Sequence, residues 1–197
     1  DNDTTVRSYI DNSIVKAGIV DGTTPAPNGG ISSDVNVTAL LESSLTPIAA
    51  GGQGAGKIAI GGSVVVTLMD NTTEAYISGG STVTALGSVA VHAVDDIDMV
   101  KFAGAFNGAG KVAVGLSVNT IVTNNTTQAY ISGSNTAVTA LGNGSGLDIA
   151  TGSKNGSGDR VVGSISGVIV SAVSFEDYLS IAAAGSGAGT AAVAGSV

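Results

Sequence analysis

A fixed internal repeat limits what this chain can fold into more than any other feature. Residues 39–64, 93–118 and 172–197 carry nearly the same text, each running through a small-residue tract with Gly-Ala-Gly near its centre and closing on Ser-Val. The interval from the opening alanine to the serine is the same in all three, from Ala39 to Ser63, Ala93 to Ser117 and Ala172 to Ser196, so the motif tolerates no insertion. A second phrase interleaves with the first. It reads Asp-Asn-Thr-Thr-Glu-Ala-Tyr-Ile over residues 70–77 and Asn-Asn-Thr-Thr-Gln-Ala-Tyr-Ile over 124–131, with a degraded copy at 3–10, which aligns Tyr9, Tyr76 and Tyr130. Tyr76 and Tyr130 lie 54 residues apart, as do Ser63 and Ser117, which sets the period. Longer spacings are that period plus insertions at 23–30, 142–146 and 154–158, all of loop composition. A register this strict implies stacked repeats.

The stacking unit is a strand. Hydrophobic residues make up 43% of the chain but aromatics only 4%, so the core must be built from Ala, Val and Ile. Branching at Cβ suits a pleated surface, whereas 30 glycines would each cost a helix about 1 kcal/mol relative to alanine. Period-two alternation over 81–86, 88–93 and 111–118 predicts short strands ending at turn residues. A propeller would bring bulky aromatic and Trp-Asp signatures, and the chain has no tryptophan. The expected fold is therefore all-β, a parallel β-helix or β-solenoid with Gly/Ser/Pro-rich loop insertions. Residues 1–197 form one segment, with copies at roughly 1–69, 70–123 and 124–197. At the usual 20 to 27 residues per coil, each period supplies about two or three rungs.

Candidates for chemistry are few. The run Gly51-Gly52-Gln53-Gly54-Ala55-Gly56-Lys57 fits a phosphate-binding loop until Ile58 stands where Ser or Thr should hold magnesium. The later copies erode the pattern further. Gly54, Gly56, Gly108, Gly110, Gly187 and Gly189 instead predict a tight corner, with positive φ or close approach of successive rungs. Ser63, Ser117 and Ser196 are repeat positions of the same kind. His92, the only histidine, reads as an outward or hydrogen-bonded strand residue. Asp95, Asp96 and Asp98 are the densest acidic cluster and the candidates for calcium, or for an acid and base acting on a polysaccharide. No glycine shapes them into a calcium loop, and their counterparts Leu41, Glu42, Ser44 and Ser174, Phe175, Asp177 do not repeat them. A solvated face is the plainer expectation. The Asn-Thr-Thr runs at 71–73 and 125–127 are formal glycosylation sequons, as are sites at Asn2, Asn36, Asn143 and Asn155, but they also look like turns entering strands. The tyrosines predict one corner of the stack rather than a carbohydrate platform.

These paired phrases, Asn-Asn-Thr-Thr-x-Ala-Tyr-Ile-Ser-Gly with Thr-x-Val-Thr-Ala and then Gly-Ala-Gly-Lys-Val-Ala-Val-Gly-x-Ser-Val, resemble the repeats of leukotoxin-like filamentous adhesins of Gram-negative anaerobes. The resemblance covers most of the chain, departing from the family at the Pro-containing insertion and at residues 142–167. It implies a large type V secreted surface protein, a right-handed parallel β-helix, and no catalytic residues. The expected role is a structural segment giving reach, stiffness and contact with a host-cell or bacterial surface ligand. The alternatives are a self-assembling extracellular filament subunit, which meets its own copies at solenoid ends or by strand exchange, and a leukotoxin-like host-cell toxin. Calcium aside, no cofactor is expected and the chain does not read as an enzyme. Absence of cysteine agrees with export to the cell surface or beyond. A net charge of −8 argues against nucleic acid and anionic lipid, and no 18-residue apolar span suggests a membrane crossing.

Overall fold

The computed structural model describes residues 2–18 and 33–197, in which every helical or extended element is a β-strand. The insertion at 23–30 lies outside the described residues. In chain order the strands are β1 (Asn2–Asp11), β2 (Ile14–Ala17), β3 (Val35–Leu45), β4 (Ile48–Ala55), β5 (Ile58–Ser78), β6 (Thr82–Ala85), β7 (Val89–Ala109), β8 (Val112–Ile131), β9 (Ala137–Ala140), β10 (Leu147–Lys154), β11 (Arg160–Ile165), β12 (Val168–Ala188) and β13 (Ala191–Ser196). β1, β5, β8 and β13 form a parallel sheet in that order. In the second sheet β7 lies between β12 and the edge strands β3 and β4, again all parallel, and β2, β6 and β9 make a short third sheet.

Neighbours in each of these three parallel sheets are equivalent residues of successive repeats. Tyr9 pairs Tyr76 and Tyr76 pairs Tyr130, Ser63 pairs Ser117 and Ser117 pairs Ser196. One 54-residue repeat therefore gives one strand to each sheet, which corrects the expected two or three rungs per period. The strands are much longer than their alternating stretches suggested: β5, β7 and β12 each run for 21 residues. Two tracts expected to be turns are strand instead. Residues 51–54 belong to β4, and the Asn-Thr-Thr runs sit inside β5 and β8, because parallel neighbours on the sheet supply the backbone partners that a turn would have supplied locally.

True breaks have identifiable causes. The first copy of the long second-sheet strand is interrupted between β3 and β4 at Pro47, which has no N–H, although its carbonyl still accepts the Phe102 N–H at 3.0 Å. An edge position tolerates this. The turn after β1 and β5 needs a left-handed residue, supplied by Asn12 (φ 45°) and Gly79 (φ 65°), and Gly133 (φ 97°) holds the same place in the third copy. A Cβ on Gly79 would stand 2.2 Å from Asp11 Oδ1, so repeats also press together here.

Between the first two sheets, Ala75 and Ile77 pack with Val35, Val37, Ala39, Val89, Val91 and Ala93, joined by Val83 and Ala85 of the third sheet, and Met69 packs with Ile97 and Met99. Small and β-branched side chains fill this core as composition required. Each fully buried Val or Ile contributes about 1.5–3 kcal/mol. The Gly/Ser-rich insertion is more than loop. It turns at 142–146, and the two strands that follow, β10 and β11, joined by a second turn at 155–158, pair antiparallel and cover the outer side of the second sheet. Ile149 packs on Ala90 and Ile169, and Ala150 on Val94 and Phe175.

Candidate functional site

Three ladders and one interior cluster hold all the repeat positions singled out above. Near the end of the first sheet the rings of Tyr9, Tyr76 and Tyr130 stack with centroids 5.1 Å apart and planes within 8° and 2° of parallel. Both faces of Tyr76 are spent on its neighbours, and Tyr9 and Tyr130 are each stacked on one face. Beside it the Arg7 guanidinium donates to Glu74 Oε2 at 2.6 Å, which holds the arginine above its usual pKa.

The Gly-Ala-Gly motif ends the long strands. Gly56, Gly110 and Gly189 lie at the corner between the two main sheets, and none of the six motif glycines has positive φ, so only the close-approach half of the expectation describes them. A Cβ on Gly110 would lie 2.3 Å from the Gly56 carbonyl oxygen and one on Gly189 2.6 Å from that of Gly110, whereas Gly54, Gly108 and Gly187 face open space. Strand follows Lys57 directly, where a phosphate loop would need a helix. Ser63 and Ser117 turn inward, their hydroxyls 3.2 Å apart.

The acidic cluster is divided by the strand itself. Successive side chains point to opposite faces, so Asp95 joins the inward row of Val91, Ala93, Ile97 and Met99, while Asp96 and Asp98 point outward. The three carboxylates do not converge. On the outside, Asp96 is held by Lys154 Nζ at 2.9 Å and Arg160 Nη1 at 3.1 Å, Lys154 also reaches Asp177 at 2.6 Å, and Arg160 pairs with Glu42. Glu42, Asp96 and Asp177 belong to three successive repeats, so these bonds pin the hairpin across all three. In the open cleft that Glu42, Asp96, Asp159 and Arg160 line, Arg160 is already paired with Glu42 and Asp96, and Asp159 accepts from Asn155 Nδ2. His92 lies on the outer row yet is only 5% exposed, and its Nε2 has no hydrogen-bond partner. Its neighbours Ala90 and Val94 are covered by β10, a contact to which no repeat or alternation points. Burial, then Arg160, lowers its pKa.

Inside, the structure gathers buried polar residues, of which Lys101 and Asn107 are not among the candidate residues named above. Lys101 is wholly buried and donates to the Thr120 carbonyl at 2.5 Å, and burial lowers its pKa. Asn107 donates to the Gly61 and Val114 carbonyls. Asn71, a formal sequon, is 1% exposed and donates to Asn125 Oδ1 at 3.2 Å. Asp95 is 1% exposed with neither carboxylate oxygen bonded, and burial first, then Glu176 and Asp96, pushes its pKa up to about 6. Counting by twos from Val91 would have placed both Asp95 and Lys101 inside.

The outer face of the first sheet is the opposite case, apolar and bare. Ile58, Ile60, Val64, Val66 and Leu68 of β5 stand exposed beside Leu116 and Val122 of β8 and Val193 of β13. Together they make one contiguous exposed apolar row along the strands. Among the described residues no group of three His, Cys, Asp or Glu could hold a metal, and no helix is long and apolar enough to cross a membrane. The fold and ladders thus define an all-β protein of parallel, repeat-stacked sheets. Comparisons with protein-family models, curated proteins and solved structures returned no match to the chain.

Proposed function

We propose that the chain is a structural segment of a secreted, surface-displayed filamentous adhesin, folded as a right-handed parallel β-helix, and not an enzyme. The observation that carries this reading is the ladder: Tyr on Tyr and Ser on Ser recur through all three copies, with Asn on Asn between the second and third, and no catalytic constellation recurs with them. Right-handedness follows from the strong preference of crossovers between parallel strands. The dimensions bear on the role. Each repeat adds about 4.8 Å along the stack, whereas a 21-residue strand spans about 70 Å across it. A reach of 100 Å then takes on the order of 20 repeats, so such a protein is very large, and its stacked faces grow faster than its length. The bare apolar face supports contact with a surface ligand or with neighbouring copies, and the net charge of −8 opposes nucleic acid or anionic lipid as partner.

Antibody raised against the chain is expected to label intact cells of the organism that makes it, and to capture a polypeptide many times heavier than 18.9 kDa. Labelling only after permeabilisation would overturn the reading. So would hydrolysis of a surface polysaccharide that Asp96→Asn abolishes.

A further inference from the structure

We infer that the interior at Asp95 is a binding site for a hard divalent cation of the calcium class, held between the two main sheets by oxygens of the middle and third repeats. Asp95 sits on its inward row between Ala93, which packs in one core cluster with Ala75, and Ile97, which packs in another with Met69. Asn71 and Thr73 occupy the inward row of β5 between those same two partners and so lie opposite Asp95. Asn71 Oδ1, Thr73 Oγ1 and both Asp95 oxygens are buried without a hydrogen-bond partner, as is Oγ1 of Thr127, the neighbour of Thr73 in the next repeat. Glu176, exposed on β12 and in register with Ile97, two residues along from Asp95, adds a second carboxylate from the third repeat at the mouth of the site. Its Oε1 accepts from Asn125 Nδ2 at 2.9 Å, which shows the same two sheet rows meeting one repeat further on.

This set is rich in acceptors and poor in donors. Asn71 and Asn125 already spend their Nδ2 groups on Asn125 Oδ1 and on Glu176 and Tyr178. No side-chain cation among the described residues faces it: Lys154 and Arg160 are bound outside, and Lys101 is six residues along the strand, about 20 Å away. A buried carboxylate without a counter-charge is costly. Two carboxylates balance a divalent ion, and the amide and hydroxyl oxygens bring the count towards the six to eight that calcium takes. With only two carboxylates, the site is not a cluster of acidic residues, and the sequence-level grouping of Asp95 with Asp96 and Asp98 pointed to a different set.

Thermal unfolding of the metal-stripped chain at pH 7.5 tests this, with calcium chloride titrated against sodium chloride of matched ionic strength. The midpoint is expected to rise by several degrees with calcium alone, to lose that response in Asp95→Asn, and to keep it in Asp98→Asn, whose side chain points outward. A wild type indifferent to calcium, or an Asp95→Asn variant that responds fully, would overturn the site. If Asp95→Asn does not fold, Thr73→Val removes one oxygen at equal volume and should weaken the calcium midpoint by at least about tenfold, as loss even of an outer partner does elsewhere. An unchanged midpoint would count against the proposal. Stability that rises on acidification with no calcium response would show a proton, not a metal ion, satisfying Asp95.

Discussion

A chain carrying Asp70→Cys and Asn124→Cys is expected to close a disulfide on oxidation and to gain about 4 kcal/mol of stability over its reduced form, the value for a loop of this length. The natural chain has no cysteine to interfere. Asp70 and Asn124 are register partners on adjacent parallel strands, and the Asn124 amide already donates to Asp70 Oδ1 at 3.3 Å. Neighbouring strands lie about 4.8 Å apart, inside the Cα range of roughly 4.4–6.8 Å that a disulfide spans. Both residues are exposed, so the substitutions disturb no core. Urea unfolding with and without reductant reads the gain. Asp70→Cys with Gln128→Cys, four residues further along and so about 13 Å distant, should not close. Failure of the first pair, or equal closure of both, would mean that successive repeats are not one layer apart.

Gly110→Ala and Gly108→Ala differ by two positions in one motif and should differ sharply in effect. A methyl on Gly110 meets the Gly56 carbonyl oxygen at 2.3 Å, and that oxygen belongs to backbone already pressed against the next repeat. The corner can relieve the overlap only by spreading the repeats, at a cost of about 2–3 kcal/mol. A methyl on Gly108 meets nothing within 4 Å, in a strand residue without positive φ. Stiffening the unfolded chain should there leave stability unchanged or raise it by up to about 1 kcal/mol. Denaturant midpoints of the two variants are the measurement. Equal losses would remove close approach as the reason for the repeated glycines.

What could be seen in advance was whatever the period carries. Pairing of Tyr76 with Tyr130, and of Asp95 with Leu41 and Ser174, follows from counting alone, because a parallel stack brings equivalents together. Strand length could not be counted. Glycine and Asn-Thr-Thr are turn formers when alone, and only a sheet neighbour 54 residues away keeps them extended. The covering of His92 depends on a hairpin folded back from residues 147–165, a contact to which no periodicity points. The two-residue alternation divides Asp95 from Asp96 and Asp98, whereas proximity in sequence groups the three. Grouping by phase would have put Asp95 in the core with Asn71 and Thr73.

Electron cryomicroscopy of the native polypeptide, recovered from cells without trimming, tests the central claim most directly, because it shows how many residues lie in one layer. The expected cross-section holds one 54-residue repeat, with two facing strands about 70 Å long, repeating every 4.8 Å or so along the stack. A compact cross-section closed by about 20 to 27 residues, with two or three layers per repeat, would contradict it.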